Sequence, residues 1–144
     1  MNPPIDKRIV LLIRDHHIFT LAVTRGLQPW CATCFYVYDE KENLFIFTSE
    51  EETRHIRDAV ETGNFLAAGA IALETKMIGR IRGIQFSGTM RKLEGAELKS
   101  ASKQYLEKFP VARLSTLFLW GINPGYIKMT DNRLGFGKKI IWPS

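Results

Sequence analysis

The segment Thr48-Ser49-Glu50-Glu51-Glu52-Thr53-Arg54-His55 gathers the groups best suited to holding an anion. Its hydroxyls can donate hydrogen bonds, and the Arg54 guanidinium can grip two phosphate oxygens at once. The pattern around it predicts that a strand ends and a helix starts here, where unpaired backbone N–H groups collect and a phosphate monoester is well solvated. The bland reading is a capped surface helix, and the three glutamates repel an anion unless they face away.

The remaining chemistry-bearing residues are less specific. Cys31-Ala32-Thr33-Cys34 matches the C-x-x-C of redox and zinc sites. It falls inside an expected strand, where residues three apart point to opposite faces, so two structural cysteines are the better reading. His16-His17 and His55 have no companion at ligand spacing, and no metal is expected. Fingerprints of serine hydrolases, nucleotide triphosphatases and dinucleotide enzymes are absent, and Gly135-Phe136-Gly137-Lys138-Lys139 resembles a phosphate loop only superficially.

The elements that must position these residues follow from periodicity and punctuation. A first helix is predicted from Asp6 to Asp15, then strands at Ile18 to Thr24 and Pro29 to Tyr38 joined by Arg25-Gly26, and a third at Leu44 to Thr48. A helix begins near Thr53 and ends at Gly63. Phe65 to Leu73 is apolar on both faces, as in a buried strand. Ile78 to Leu93 reads as a long strand or bent pair with glycines at 79, 83 and 88. Glu94 to Lys108 is an amphipathic helix, Val111 to Leu119 a short helix, and Trp120 to Thr130 a strand broken at Pro124-Gly125.

The chain has 144 residues, 45% hydrophobic and 24% charged, enough for one domain spanning 1–144 and too little for a second large one. Its longest apolar run, nine residues, is too short for a membrane span. Met-Asn-Pro-Pro-Ile-Asp lacks the basic and apolar parts of a signal peptide, and two cysteines fit a reducing cytoplasm. The net charge of +5 suits an anionic partner. Basic and aromatic residues do not alternate on a strand platform, so a phosphorylated cofactor is preferred to nucleic acid. About six strands with helices inserted late disfavour a parallel βαβ sheet and favour a mainly β, α+β fold: a small antiparallel barrel with helical insertions.

Across nearly the whole chain, the hairpin, F-I-F-T-S-E-E-E-T-R-H, I-R-G-I-Q-F-S-G-T-M-R-K-L, F-P-V-A-R and T-D-N-R-L-G-F-G-K-K-I-I-W together resemble the YhbP-like group. That group belongs to the pyridoxamine 5′-phosphate oxidase-like family of FMN-binding split barrels. The resemblance implies a six-stranded antiparallel split β-barrel that forms a homodimer, with FMN in clefts between the subunits. The family's strand-end hydroxyl and helix-start Ser-Arg-Lys map onto Thr48, Ser49, Thr53, Arg54 and His55, with one extra residue between the halves and histidine in place of lysine. The glutamine that the oxidases place near the flavin corresponds to Gly83, and Gln85 lies two residues on. Ala32 and Cys34 are candidates to line the ring, Lys138 to reach the phosphate from the partner subunit, and Trp142, less so Trp120, to stack on the isoalloxazine.

The implied function is an FMN-binding flavoprotein, an oxidoreductase of a small-molecule substrate, with the redox chemistry supplied by the flavin. No acid or base is nominated. Arg133-Leu134-Gly135 lacks the histidine of the true oxidases' Arg-Leu-His-like motif, which disfavours pyridoxamine phosphate oxidation. The alternative is a non-catalytic module that binds or senses flavin, or haem, on the same barrel.

Overall fold

The computed structural model describes residues 2–143; Met1 and Ser144, the ends of the expected domain, lie outside the described residues. Helix α1, Lys7–Asp15, is capped by the Asp6 carboxylate, which accepts from the Arg8 N–H, and buries Ile9, Val10, Leu12 and Ile13. β1, Ile18–Arg25, and β2, Gln28–Asp39, form the expected hairpin. β3, Leu44–Thr48, follows the turn at Asn43, whose φ of 50° is left-handed, a conformation asparagine tolerates. Helix α2, Arg54–Thr62, ends at Gly63 with φ 72°, where a side chain would strain the cap.

β4, Leu66–Ala72, and β5, Arg82–Lys92, pair antiparallel, and helix α3, Gly95–Lys108, leads into β6, Leu119–Asp131. All pairings are antiparallel, in the order β3-β2-β1-β4-β5-β6. β3 pairs back onto β6 through Phe45↔Ile122 to Thr48↔Leu119, which closes six strands into a barrel. This is the expected split barrel.

The differences from expectation have physical reasons. Ile78–Arg80 is one 3-10 turn ahead of β5 and not an extension of it, and Pro110–Leu114 forms a 3-10 turn where a short helix from Val111 to Leu119 was predicted. A seventh strand, β7, Lys139–Trp142, lies on the edge of β6 outside the closed ring. β4 is not buried on both faces. Ala67, Gly69 and Ile71 point inward while Leu66, Ala68, Ala70 and Ala72 are exposed, because alanine reads as apolar in the sequence yet buries little.

The barrel interior is aromatic. Phe86 stacks face to face on Phe45 at 4.1 Å, and Phe19, Tyr36, Tyr38 and Phe47 pack around them. Gly69 leaves room for the Phe86 ring, since a Cβ there would meet Phe86 Cζ at 2.2 Å. A second core under α3 joins Leu44, Ile46, Leu93, Ala101, Tyr105 and Leu119. The outer sheet surface beside β4 carries mostly small residues in register, Ala22 with Ala68 and Ser87, and Thr20 with Ala70 next to the longer Gln85. Among the described residues no helix is long and apolar enough to cross a membrane.

Candidate functional site

β3 delivers Thr48 and Ser49 to one end of the barrel, and the chain turns through the three glutamates into α2. Ser49 is held from several sides. Its N–H donates to Phe118 O at 2.9 Å, its carbonyl accepts from Trp120 Nε1 at 3.0 Å, and its hydroxyl contacts His55 Nε2. Thr48 Oγ1 accepts from the Phe118 N–H at 3.0 Å. Thr53 occupies the cap position of α2 but its hydroxyl donates to Glu50 O at 2.6 Å, so no side chain caps the helix. The start of α2 therefore keeps the character that suits an anionic oxygen.

Arg54 has 40% of its side chain exposed at this helix start. Its guanidinium lies over the Trp30 ring, 3.9 Å from the centroid, and its Nε is 3.6 Å from Asp58 Oδ2. Asp58 is buried and also accepts from Arg25 Nη1 at 3.2 Å. Glu50, Glu51 and Glu52 are all exposed, and Glu51 is neutralised by Lys92 Nζ at 2.9 Å. Much of the acidic triplet's repulsion is thereby spent on solvent and on Lys92.

His55 departs from the role of its lysine counterpart. It is 8% exposed, and burial pushes its pKa below the usual imidazole value of 6.5, so it is neutral at neutral pH. It can order the Ser49 hydroxyl, with Thr53 Oγ1 3.5 Å away, but it brings no positive charge.

The other sequence candidates lie elsewhere in the same chain. Through Lys92↔Trp120↔Phe47, the site end of the barrel is level with the end of β5, and Gln85 is seven residues back along that strand. At about 3.3 Å per residue that is roughly 23 Å along the strand from Lys92, whereas Cys31, next to the Trp30 that carries Arg54, is level through Ala22 and Ala68 with Ser87, two residues from Gln85. Gln85 is exposed on the outer sheet face beside Ala70 and Lys128. Lys138 lies at the other end of β5 from Lys92, its carbonyl accepting from the Asp131 N–H at 2.9 Å. Trp142 pairs with Ile127, is 6% exposed, and donates its ring N–H to Pro3 O at 2.7 Å. Trp142 and Trp120 are both core residues, so neither has the open ring face that stacking on a flavin needs within its own chain.

Ala32 and Cys34 also pack toward the core, and β2 presents Cys31, Thr33 and Phe35 outward instead. Cys31 and Cys34 are unpaired thiols, one exposed and one buried, and no metal-ligating group of three acidic, histidine or cysteine residues occurs among the described residues. Sequence reasoning passed over Asp58, Arg25 and Trp30. Asp58 was within reach, because it stands four residues after Arg54, the spacing that faces two side chains on one helix.

No family model matches the chain. Among solved structures, a haem-binding protein from Mycobacterium smegmatis superposes with a TM-score of 0.74 at 17% identity, over 90% of this chain and 55% of that one. An FAD-binding protein from Mesorhizobium loti superposes with a TM-score of 0.67 at 11% identity, over 85% and 90%. A candidate pyridoxamine 5′-phosphate oxidase from Listeria innocua gives 0.62 at 14% identity, over 84% and 91%. At such identities these likenesses establish the pyridoxamine 5′-phosphate oxidase-like split-barrel fold and nothing finer. In sequence, a UPF0306 protein of Yersinia pseudotuberculosis is 39% identical over 143 residues, 99% of this chain and 96% of its own length. The chain belongs to the UPF0306 family.

Proposed function

We propose that the chain is an FMN-binding flavoprotein that works as a homodimer in the cytoplasm and serves as an oxidoreductase for a small-molecule substrate. The observation that carries this reading is the start of α2. No side chain caps the helix, Arg54 is half-exposed at its start, and the Ser49 and Thr53 hydroxyls lie beside it, engaged with His55 and Glu50 O and open to exchange those partners for an anion. That donor set fits a phosphate monoester.

In this reading Thr48, Ser49, Thr53 and Arg54 hold the FMN phosphate, and the neutral His55 orients the Ser49 hydroxyl. Lys138 lies beside Asp131 at the other end of β5 from Lys92, so it reaches this phosphate only from a second copy. The exposed small-residue face of β1, β4 and β5 is a surface on which two copies can approach closely. Bound flavin supplies electron or hydride transfer, and this chain supplies placement and exclusion of water. Two unpaired thiols on opposite faces of β2 agree with a reducing compartment.

The test is a titration of wild type and Arg54→Ala with FMN, followed by absorption spectra. Losing a charge-assisted bond to phosphate weakens binding by about ten- to a hundredfold, from roughly 1.5–3 kcal/mol. Equal affinity in the two removes Arg54 from the site. Bleaching of the yellow complex by NAD(P)H supports the oxidoreductase, whereas inertness to every reductant favours a binding or sensing module. A haem reading has one specific point in its favour. His17 is exposed, while His16 Nδ1 is bonded to Leu12 O and His55 to Ser49. A Soret band that disappears in His17→Ala would replace flavin with haem.

A further inference from the structure

Asp58 is 3% exposed, and its two oxygens have unequal partners. Oδ1 accepts from Arg25 Nη1 at 3.2 Å, and Arg25, from the end of β1, also reaches Glu61 at 3.3 Å. Oδ2 has no hydrogen-bond partner, and an ion pair with Arg54 Nε at 3.6 Å is its compensation. A carboxylate oxygen buried with so little in return is unfavourable for stability alone. What it does achieve is geometric. Arg54 is held at its Nε edge by Asp58 and across its flat face by Trp30, 3.9 Å from the ring centroid. Among the described residues neither terminal nitrogen of Arg54 makes a hydrogen bond. The neighbouring Arg57 leans instead toward Glu61, 3.8 Å away.

We propose that Asp58 and Trp30 are positioning residues that pre-set the Arg54 fork for a phosphate monoester. This deepens the flavin-phosphate reading above and rests on it. An unconstrained arginine gives up rotamer freedom when it binds an anion, and holding it in place beforehand removes that loss. Trp30 and Asp58 come from β2 and from the next turn of α2, so the fork is fixed to the barrel wall and not only to its own helix. Arg25 completes the arrangement by occupying Oδ1 and leaving Oδ2 for Arg54.

The experiment compares FMN with riboflavin, which differ by the phosphate, in fluorescence titrations of full-length wild type, Asp58→Asn and Trp30→Leu. Wild type is expected to prefer FMN. In both variants FMN affinity falls about three- to tenfold, the cost of ordering one long side chain, while riboflavin affinity stays where it was. A purely structural role would weaken both ligands alike. Equal losses, or an unchanged FMN preference in both folded variants, overturn the positioning role and leave the phosphate site standing. A wild type that does not distinguish the two ligands sinks the phosphate reading itself. Should Asp58→Asn not fold, Trp30→Leu carries the test, because Trp30 lies at the surface with 41% of the residue exposed.

Discussion

Alanine at position 69 probes the packing that sets the start of β3, and its effect can be worked from distances. The new Cβ would lie 2.2, 2.5 and 2.8 Å from Cζ, Cε1 and Cε2 of Phe86. Ordinary contact begins at 3.4 Å, so the ring must retreat by about 1 Å. It has no room. Phe45 lies parallel behind it at 4.1 Å, and Phe45 is itself backed by Tyr38 at 5.0 Å and Tyr36 at 5.5 Å. Overpacking of this kind costs about 1–3 kcal/mol. Restricting the unfolded chain returns roughly 0.4–1 kcal/mol, leaving a net loss of about 1.3 kcal/mol. For a chain of this length that lowers Tm by about 3–5 °C. Urea unfolding followed by circular dichroism measures it, with Gly79→Ala as the control. A Cβ at Gly79 meets nothing within 4 Å, so that variant stays within about 0.5 kcal/mol of wild type. Combining Gly69→Ala with Phe86→Leu should lose less than the two single losses added together. A Gly69→Ala protein as stable as wild type, or strict additivity in the pair, refutes the reasoning.

Two further predictions concern single groups near the proposed site. Burial lowers the His55 pKa in the folded chain below its unfolded value near 6.5, so the unfolded chain takes up the proton first. Stability is therefore full above pH 6.5 and declines as pH falls below it, by at most about 1.4 kcal/mol per pH unit. Urea midpoints at pH 7.5 and 5.5 should separate more in wild type than in His55→Gln, and equal separations exclude His55 as the cause. On β2, burial pushes the Cys34 thiol up to about 12, whereas Cys31 is exposed. A thiol reagent applied to the folded protein should modify Cys31 and spare Cys34. Rapid modification that persists in Cys31→Ser contradicts the assigned faces of β2.

Much of the fold was legible because its signals are local. Asp6 ahead of an apolar helical period, Gly63 after one, and the alternation through β1 to β3 each need only neighbouring residues to be read. β4 misled because composition cannot separate an inward from an outward alanine. The strand's inner face was settled by Gly69 fitting Phe86, a contact across 17 positions of sequence. β7 was missed because its strand formers Ile140, Ile141 and Trp142 make only a short run behind glycines and lysines, and it forms because β6 offers an open edge from Ile127 to Thr130.

The candidate site divides along the same line. Thr48 to His55 could be found because consecutive residues at a strand-to-helix passage remain together however the barrel is built. Trp30 could not, since it reaches Arg54 from β2, on the far side of a hairpin. Nor could periodicity say that Lys138 lies beside Asp131, at the other end of β5 from Lys92, because strand direction and register decide that. If the flavin lies between two copies as proposed, its affinity should fall when the protein is diluted below its dimerisation constant, and an affinity that does not depend on protein concentration argues against that placement.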